Sequence, residues 1–210
     1  GRRAARAPPD PPSANTRHPL PIPMEAFLVS AGVVALGEIG DKTQLLALML
    51  AARFRKPVPI ILGILTATLV NHALAGLLGN VVRNALSPGA LRWVVALSFF
   101  AVAVWAMKPD ALADEASEST SRWGVFGVTA ATFFIAEMGD KTQVATMVLA
   151  AQFDSLVAVV LGTTVGMLLA DVPVVLIGKT ASARIPFKAV RIAAALLFAA
   201  LGVYALLAPV

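Results

Sequence analysis

The stretch Glu38-Ile39-Gly40-Asp41-Lys42-Thr43-Gln44 returns 99 residues later as Glu137-Met138-Gly139-Asp140-Lys141-Thr142-Gln143, identical at six of seven positions. Both copies stand inside apolar sequence. Twelve apolar or small residues, Ala26 to Gly37, precede the first copy and eight, Leu45 to Ala52, follow it, and the second copy has flanks of the same lengths. The same offset pairs Leu50-Ala51-Ala52 with Leu149-Ala150-Ala151, Phe54 with Phe153, Gly63 with Gly162, Gly79 with Gly178, Arg92 with Arg191 and Phe99 with Phe198. A whole unit of chain is therefore repeated, not a motif alone.

The surroundings of the repeat identify its solvent. Of the 210 residues, 58% are apolar and 14% charged, against about 25% charged in an average soluble domain. With a mean hydropathy of +0.81, the chain holds more apolar surface than one core of this size can hide, so lipid must cover part of it. Cysteine is absent, which removes disulfides, thiolate nucleophiles and zinc-thiolate sites. The isoelectric point near 10.1 does not indicate nucleic acid. The basic residues punctuate apolar runs and form no interleaved basic-aromatic surface.

Six apolar segments, about 24–52, 58–80, 90–107, 124–151, 156–178 and 189–208, have roughly the 20-residue length that crosses a bilayer. The expected fold is all-α: a multi-pass membrane protein of six transmembrane helices in two three-helix repeats, 24–108 and 123–210, joined by an acidic linker at 109–122. An odd number of spans per unit inverts the second repeat relative to the first, an arrangement found in transporters. Short connections predict that sequential spans pack as antiparallel neighbours. Residues 1–23, with seven of the 14 prolines and four arginines, predict a disordered segment, leader sequence or a basic tail meeting anionic lipid, with Met24 opening the structured part.

Orientation follows from Lys and Arg outside the spans. Arg53, Arg55, Lys56, Lys108, Arg122, Lys179, Arg184, Lys188 and Arg191 fall on one face; Arg83, Arg92 and the tail arginines fall on the other. The first face is expected in the cytoplasm, with both termini on the other side of a cell (inner) membrane, or of a Golgi-type membrane in a eukaryote.

The repeated heptads lie at the centre of their segments, so two Glu, two Asp and two Lys are placed near the bilayer midplane. A charged residue there costs about 2.5 to 3.5 kcal/mol on insertion scales, and six of them call for a compensating role. On a continuous helix the spacing of Glu38 and Asp41, and of Glu137 and Asp140, puts each pair on one face. Inversion then brings four carboxylates to one pocket, with Thr43, Gln44, Thr142 and Gln143 adding oxygens. Such a hard-donor shell suits manganese, calcium or magnesium. Gly40 and Gly139 permit close helix approach or local unwinding. Lys42 and Lys141, four residues after Glu38 and Glu137, have the spacing of intrahelical ion pairs and balance charge. Four carboxylates and two ammonium groups sum to minus two, which one divalent cation or two protons neutralise. Competition for the same oxygens gives metal/proton exchange, with two protons moved per metal ion. A purely structural role for the polar residues, as buried ion pairs holding helices together, is the alternative.

The two copies match E-x-G-D-[KR]-[ST], and the chain from Met24 to Val210 resembles the Golgi-type calcium/manganese:proton antiporter family (the Gcr-dependent translation factor family), whose bacterial members act as manganese exporters. The resemblance implies transport of manganese or calcium against protons, with Glu38, Asp41, Glu137 and Asp140 as cation ligands. It implies no resident cofactor and no catalytic residues.

The offset further pairs Asn71-His72 with Ala170-Asp171, so the second and fifth segments carry polar residues at one depth, candidates for a proton relay or for supporting the site. Pro173 removes the bond to the Leu169 carbonyl and can bend the helix near Asp171. Arg92 and Arg191 are expected to snorkel to the interface, Asp114, Glu115 and Glu118 to form a solvated tether, and Thr163 and Thr164 to make helix-packing hydrogen bonds. Rival readings are a passive divalent-cation channel, a subunit of a proton pump and an intramembrane aspartyl protease. For the protease, Glu38 and Glu137 occupy a position where glycine is required. A phosphate-binding loop at Gly-Asp-Lys-Thr is rejected, because the glycine it needs is missing.

Overall fold

A computed structural model of the chain describes residues 22–108, 124–177 and 187–207. The proline-rich segment up to residue 21, the acidic linker and the loop carrying Lys179 and Arg184 lie outside the described residues. All regular structure within them is helical. Eight helices follow in order: α1 (Ile22–Glu38), α2 (Lys42–Phe54), α3 (Pro57–Ala85), α4 (Pro88–Ala106), α5 (Gly124–Glu137), α6 (Lys141–Gln152), α7 (Leu156–Ile177) and α8 (Phe187–Leu207). Helix α1 starts at Ile22, two residues before Met24.

The first and fourth apolar segments are each divided into two helices at the heptad. Gly40 and Gly139 have φ of 84° and 75°, values that carry the chain out of the right-handed helix at little cost for glycine alone. Asp41 and Asp140 then adopt extended backbone, with ψ of 171° and 164°, and act as the N-caps of α2 and α6. The axes of α1 and α2 diverge by 72°. Pro57 and Pro88 start α3 and α4, where a missing N–H removes no helix bond. By length and apolarity, α3, α4, α7 and α8 can each cross a membrane, and the bent α1–α2 pair makes a fifth candidate span among the described residues.

The packing corrects the expectation that sequential spans are the principal neighbours. Helix α1 lies chiefly on α7, α5 on α3, and α4 on α8, so the main partners come from opposite halves. Glycines allow this close approach. A methyl group at Gly63 would lie 2.7 Å from Thr129 Cβ and 3.0 Å from the Phe126 carbonyl oxygen; at Gly162 it would lie 3.0 Å from Ser30 Cβ and strike the Phe27 carbonyl. Residues 63 and 162, 27 and 126, and 30 and 129 are all related by the 99-residue offset. The contact made by one half is thus repeated by the other. Phe99 and Phe198, themselves equivalent, meet with ring centroids 6.4 Å apart in the core between α4 and α8. Outward-facing Leu78, Leu97, Leu169, Leu176 and Leu196 are each more than half exposed, the apolar surface that a bilayer would cover.

Candidate cation site

The two breaks meet in the interior. Glu38 ends α1, Glu137 ends α5, Asp140 caps α6, and these three buried side chains each place a carboxylate oxygen within 4.8 Å of the other two. The Thr142 hydroxyl can donate to Glu137 Oε2 at 3.2 Å or Asp140 Oδ2 at 3.3 Å, and the Thr142 N–H donates to the same Asp140 oxygen. Both oxygens of Glu38 and Oε1 of Glu137 are buried with no hydrogen-bond partner among the described residues. Buried carboxylate oxygens in this condition are costly unless a cation or a proton joins them.

Continuous-helix geometry does not produce this site. Because the helix stops at Glu38 and restarts after Asp41, the Glu and Asp of one copy do not share a helical face. Asp41 is not one of these three clustered acids; its Oδ1 lies 2.7 Å from Lys141 Nζ, and both side chains are buried. Lys42 Nζ lies 3.1 Å from Asp140 Oδ1 and is about a quarter exposed, at 26%. The lysines therefore pair across the halves, each with the aspartate of the other copy. The four-residue spacing of the lysines from Glu38 and Glu137 does not span a continuous helix, because the backbone turns between them.

Gln44 and Gln143 hold the breaks in shape. Gln44 Oε1 accepts from the Gly40 N–H at 2.9 Å, while Gln44 Nε2 donates to the Ala170 carbonyl at 3.1 Å. Gln143 Oε1 accepts from the Gly139 N–H at 2.7 Å, and its amide donates to Asn71 Oδ1. Asn71 in turn donates to the Phe134 carbonyl at 3.3 Å. Positions 170 and 71 are again offset equivalents, so each glutamine ties its own break to the long helix of the opposite half. A methyl group at Gly139 would meet no atom within 4 Å; glycine there serves backbone unwinding, not helix approach.

Thr43 Oγ1 is buried and has no partner among the described residues. The same holds for both ring nitrogens of His72 on α3 and both carboxylate oxygens of Asp171 on α7, each side chain being fully buried. Thr163 and Thr164 donate to the Val160 carbonyl within their own helix, as helix-packing hydroxyls should. Ser30 and Thr68 add two buried hydroxyls without partners among the described residues that single apolar-flanked positions in the sequence did not distinguish from packing residues.

Comparison with known proteins gives this chemistry a family. The model of the family described as "Divalent cation/proton antiporter GDT1" matches residues 26–114 and 125–210. A protein of Vibrio cholerae serotype O1 named "Putative manganese exporter" is 53% identical over 176 residues, covering 83% of this chain and 87% of that protein. GDT1-like protein 5 of Arabidopsis thaliana is 27% identical over 224 residues, covering 89% and 97%, and GDT1-like protein 5 of Oryza sativa subsp. japonica is 27% identical over 215 residues, covering 84% and 92%. No solved structure matches the chain. Family membership excludes the protease reading. This chain belongs to the GDT1 family of divalent cation/proton antiporters, multi-pass integral membrane transporters and not enzymes.

Proposed function

We propose that the chain exports Mn2+ from the cell in exchange for protons, through a site formed by Glu38, Glu137 and Asp140. The observation carrying this reading is that three buried acids from both halves hold oxygens within 4.8 Å of one another, while three of those acids' oxygens have no hydrogen-bond donor. Oxygen donors alone suit manganese and the other hard divalent cations, and the name of the Vibrio cholerae relative favours manganese among them. Metal binding at such a site releases protons, and protonation releases metal. Asp41 and the two lysines set the charge: with four carboxylates and two ammonium groups, one divalent ion or two protons gives a neutral centre.

The proposed architecture is six spans in two inverted halves, with α1–α2 and α5–α6 as the broken spans, in the cell membrane. Both termini are outside, by the distribution of Lys and Arg. The paired contacts under the 99-residue offset support a twofold relation of the halves, and an axis in the membrane plane would let them rock about the site.

Purified chain in liposomes tests the function. Adding Mn2+ outside should load the lumen and raise its pH, with a rate insensitive to clamped membrane potential. Glu38→Gln and Asp140→Asn should each abolish both signals while leaving the protein monodisperse. Metal entry without a change in lumenal pH would make the protein a passive channel, and undiminished exchange by both variants would remove the site.

A further inference from the structure

Asp171 lies outside the repeated motif, on α7, and both of its carboxylate oxygens are buried without a hydrogen-bond donor among the described residues. An aspartate retained to glue helices together would make hydrogen bonds across the interface; none is made by these oxygens. Its position is tied to the first break by Gln44, which donates to the carbonyl of Ala170, the preceding residue. Helix α7 packs along α1, which ends at Glu38, and against α2, which Asp41 caps. The equivalent position in the first half is His72, so this acid is supplied by the second half alone.

Three clustered carboxylates leave part of a hard cation's oxygen shell unfilled, since about six to eight ligands are usual. Asp41, the fourth acid of the motif, is not one of the three clustered acids, and its Oδ1 pairs with Lys141. We propose that Asp171 is a ligand of the transported divalent cation, extending the site from the two motif breaks onto α7. Asp171 adds a fifth carboxylate to the charge count, which is then neutralised by one divalent ion with one proton or by three protons, so one metal ion still exchanges for two protons. The inference rests on the metal-binding reading of Glu38, Glu137 and Asp140, and the experiment separates the two.

Mn2+ binding to the purified full chain is measured by the loss of the free-ion paramagnetic resonance signal, alongside the Mn2+-induced rise in melting temperature and the KM for Mn2+ in liposomes. Asp171→Asn keeps the shape and removes a buried charge, so the metal-free protein should melt no lower than native. Its Kd and KM for Mn2+ should rise by at least about tenfold, the scale of losing a metal-supporting group, and the Mn2+-induced stabilisation should shrink. Asp171→Glu keeps the charge but moves the oxygens by one methylene. It should bind with intermediate affinity and an altered preference between Mn2+ and Ca2+, and it carries the test if Asp171→Asn does not accumulate. Native Kd and KM in the Asn variant, or an unchanged Kd and ion preference in the Glu variant, overturn the proposal. Glu38→Gln is the reference: if it loses Mn2+ binding while the Asp171 variants keep it, the Asp171 ligand alone is refuted. If Glu38→Gln also binds normally, the metal site itself falls.

Discussion

Lys141 Nζ lies 2.7 Å from Asp41 Oδ1, an ion pair buried at both ends that joins the second helix break to the first. Its counterpart, Lys42 to Asp140 at 3.1 Å, is open on the lysine side. The two copies of the motif thus make reciprocal contacts in unequal environments, and the inequality has measurable consequences.

Removing one partner of a fully buried pair strands the other, at a cost of about 3 to 5 kcal/mol, and the partial exposure of Lys42 lessens that penalty for its pair. Lys141→Met should therefore lower the melting temperature more than Lys42→Met. Adding Asp41→Asn should recover much of the stability lost in Lys141→Met. Thermal melts of the purified variants decide the matter, and equal losses in the two lysine variants would refute the asymmetry.

Gly139 has φ of 75° and open space around it, so alanine there carries backbone strain without a steric clash, about 1 to 2 kcal/mol. Gly32, within α1, also has open space, but a helical backbone; alanine there should gain about 0.5 to 1 kcal/mol. Opposite shifts in melting temperature are expected for Gly139→Ala and Gly32→Ala.

Gly162 approaches the backbone of α1, whereas the nearest atoms to Gly63 are the Thr129 side chain on α5. Thr129 Cβ moves only with its backbone, so both glycines face nearly fixed atoms, and the approach at Gly162 is the closer. Gly162→Ala should therefore cost more than Gly63→Ala, each within the overpacking range of about 1 to 3 kcal/mol. Melting temperatures in the same detergent provide the comparison, and the reverse order would show that the α1–α7 contact yields.

Bound metal should stabilise the native fold by about 2.7 kcal/mol at a concentration one hundred times its Kd. Protons compete for the same carboxylate oxygens, so this stabilisation should weaken as pH falls and strengthen as it rises. A series of melts with and without Mn2+ from acidic to neutral pH measures it. In Glu38→Gln the metal-dependent increment should vanish at every pH.

Much of the site can be read from the order of residues. Doubling of the heptad, its placement midway along apolar segments and the offset linking Phe99 to Phe198 all follow from the sequence, because apolar runs and internal repeats are local properties of the chain. Which three of the four acids cluster cannot be read in this way. Spacings of three and four residues predict a shared face and an intrahelical ion pair only where the helix continues, and Gly40 and Gly139 interrupt it. Nor does local sequence pair Lys141 with Asp41, or aim Gln44 at Ala170. Those partners are 100 and 126 residues apart. The sequence alone determined which charged groups must be reconciled with lipid, since hydrocarbon does not solvate them. Only the tertiary structure decided which are matched with one another and which three acids stand together, because electrostatic energy depends on distance and burial between groups that the chain order leaves far apart.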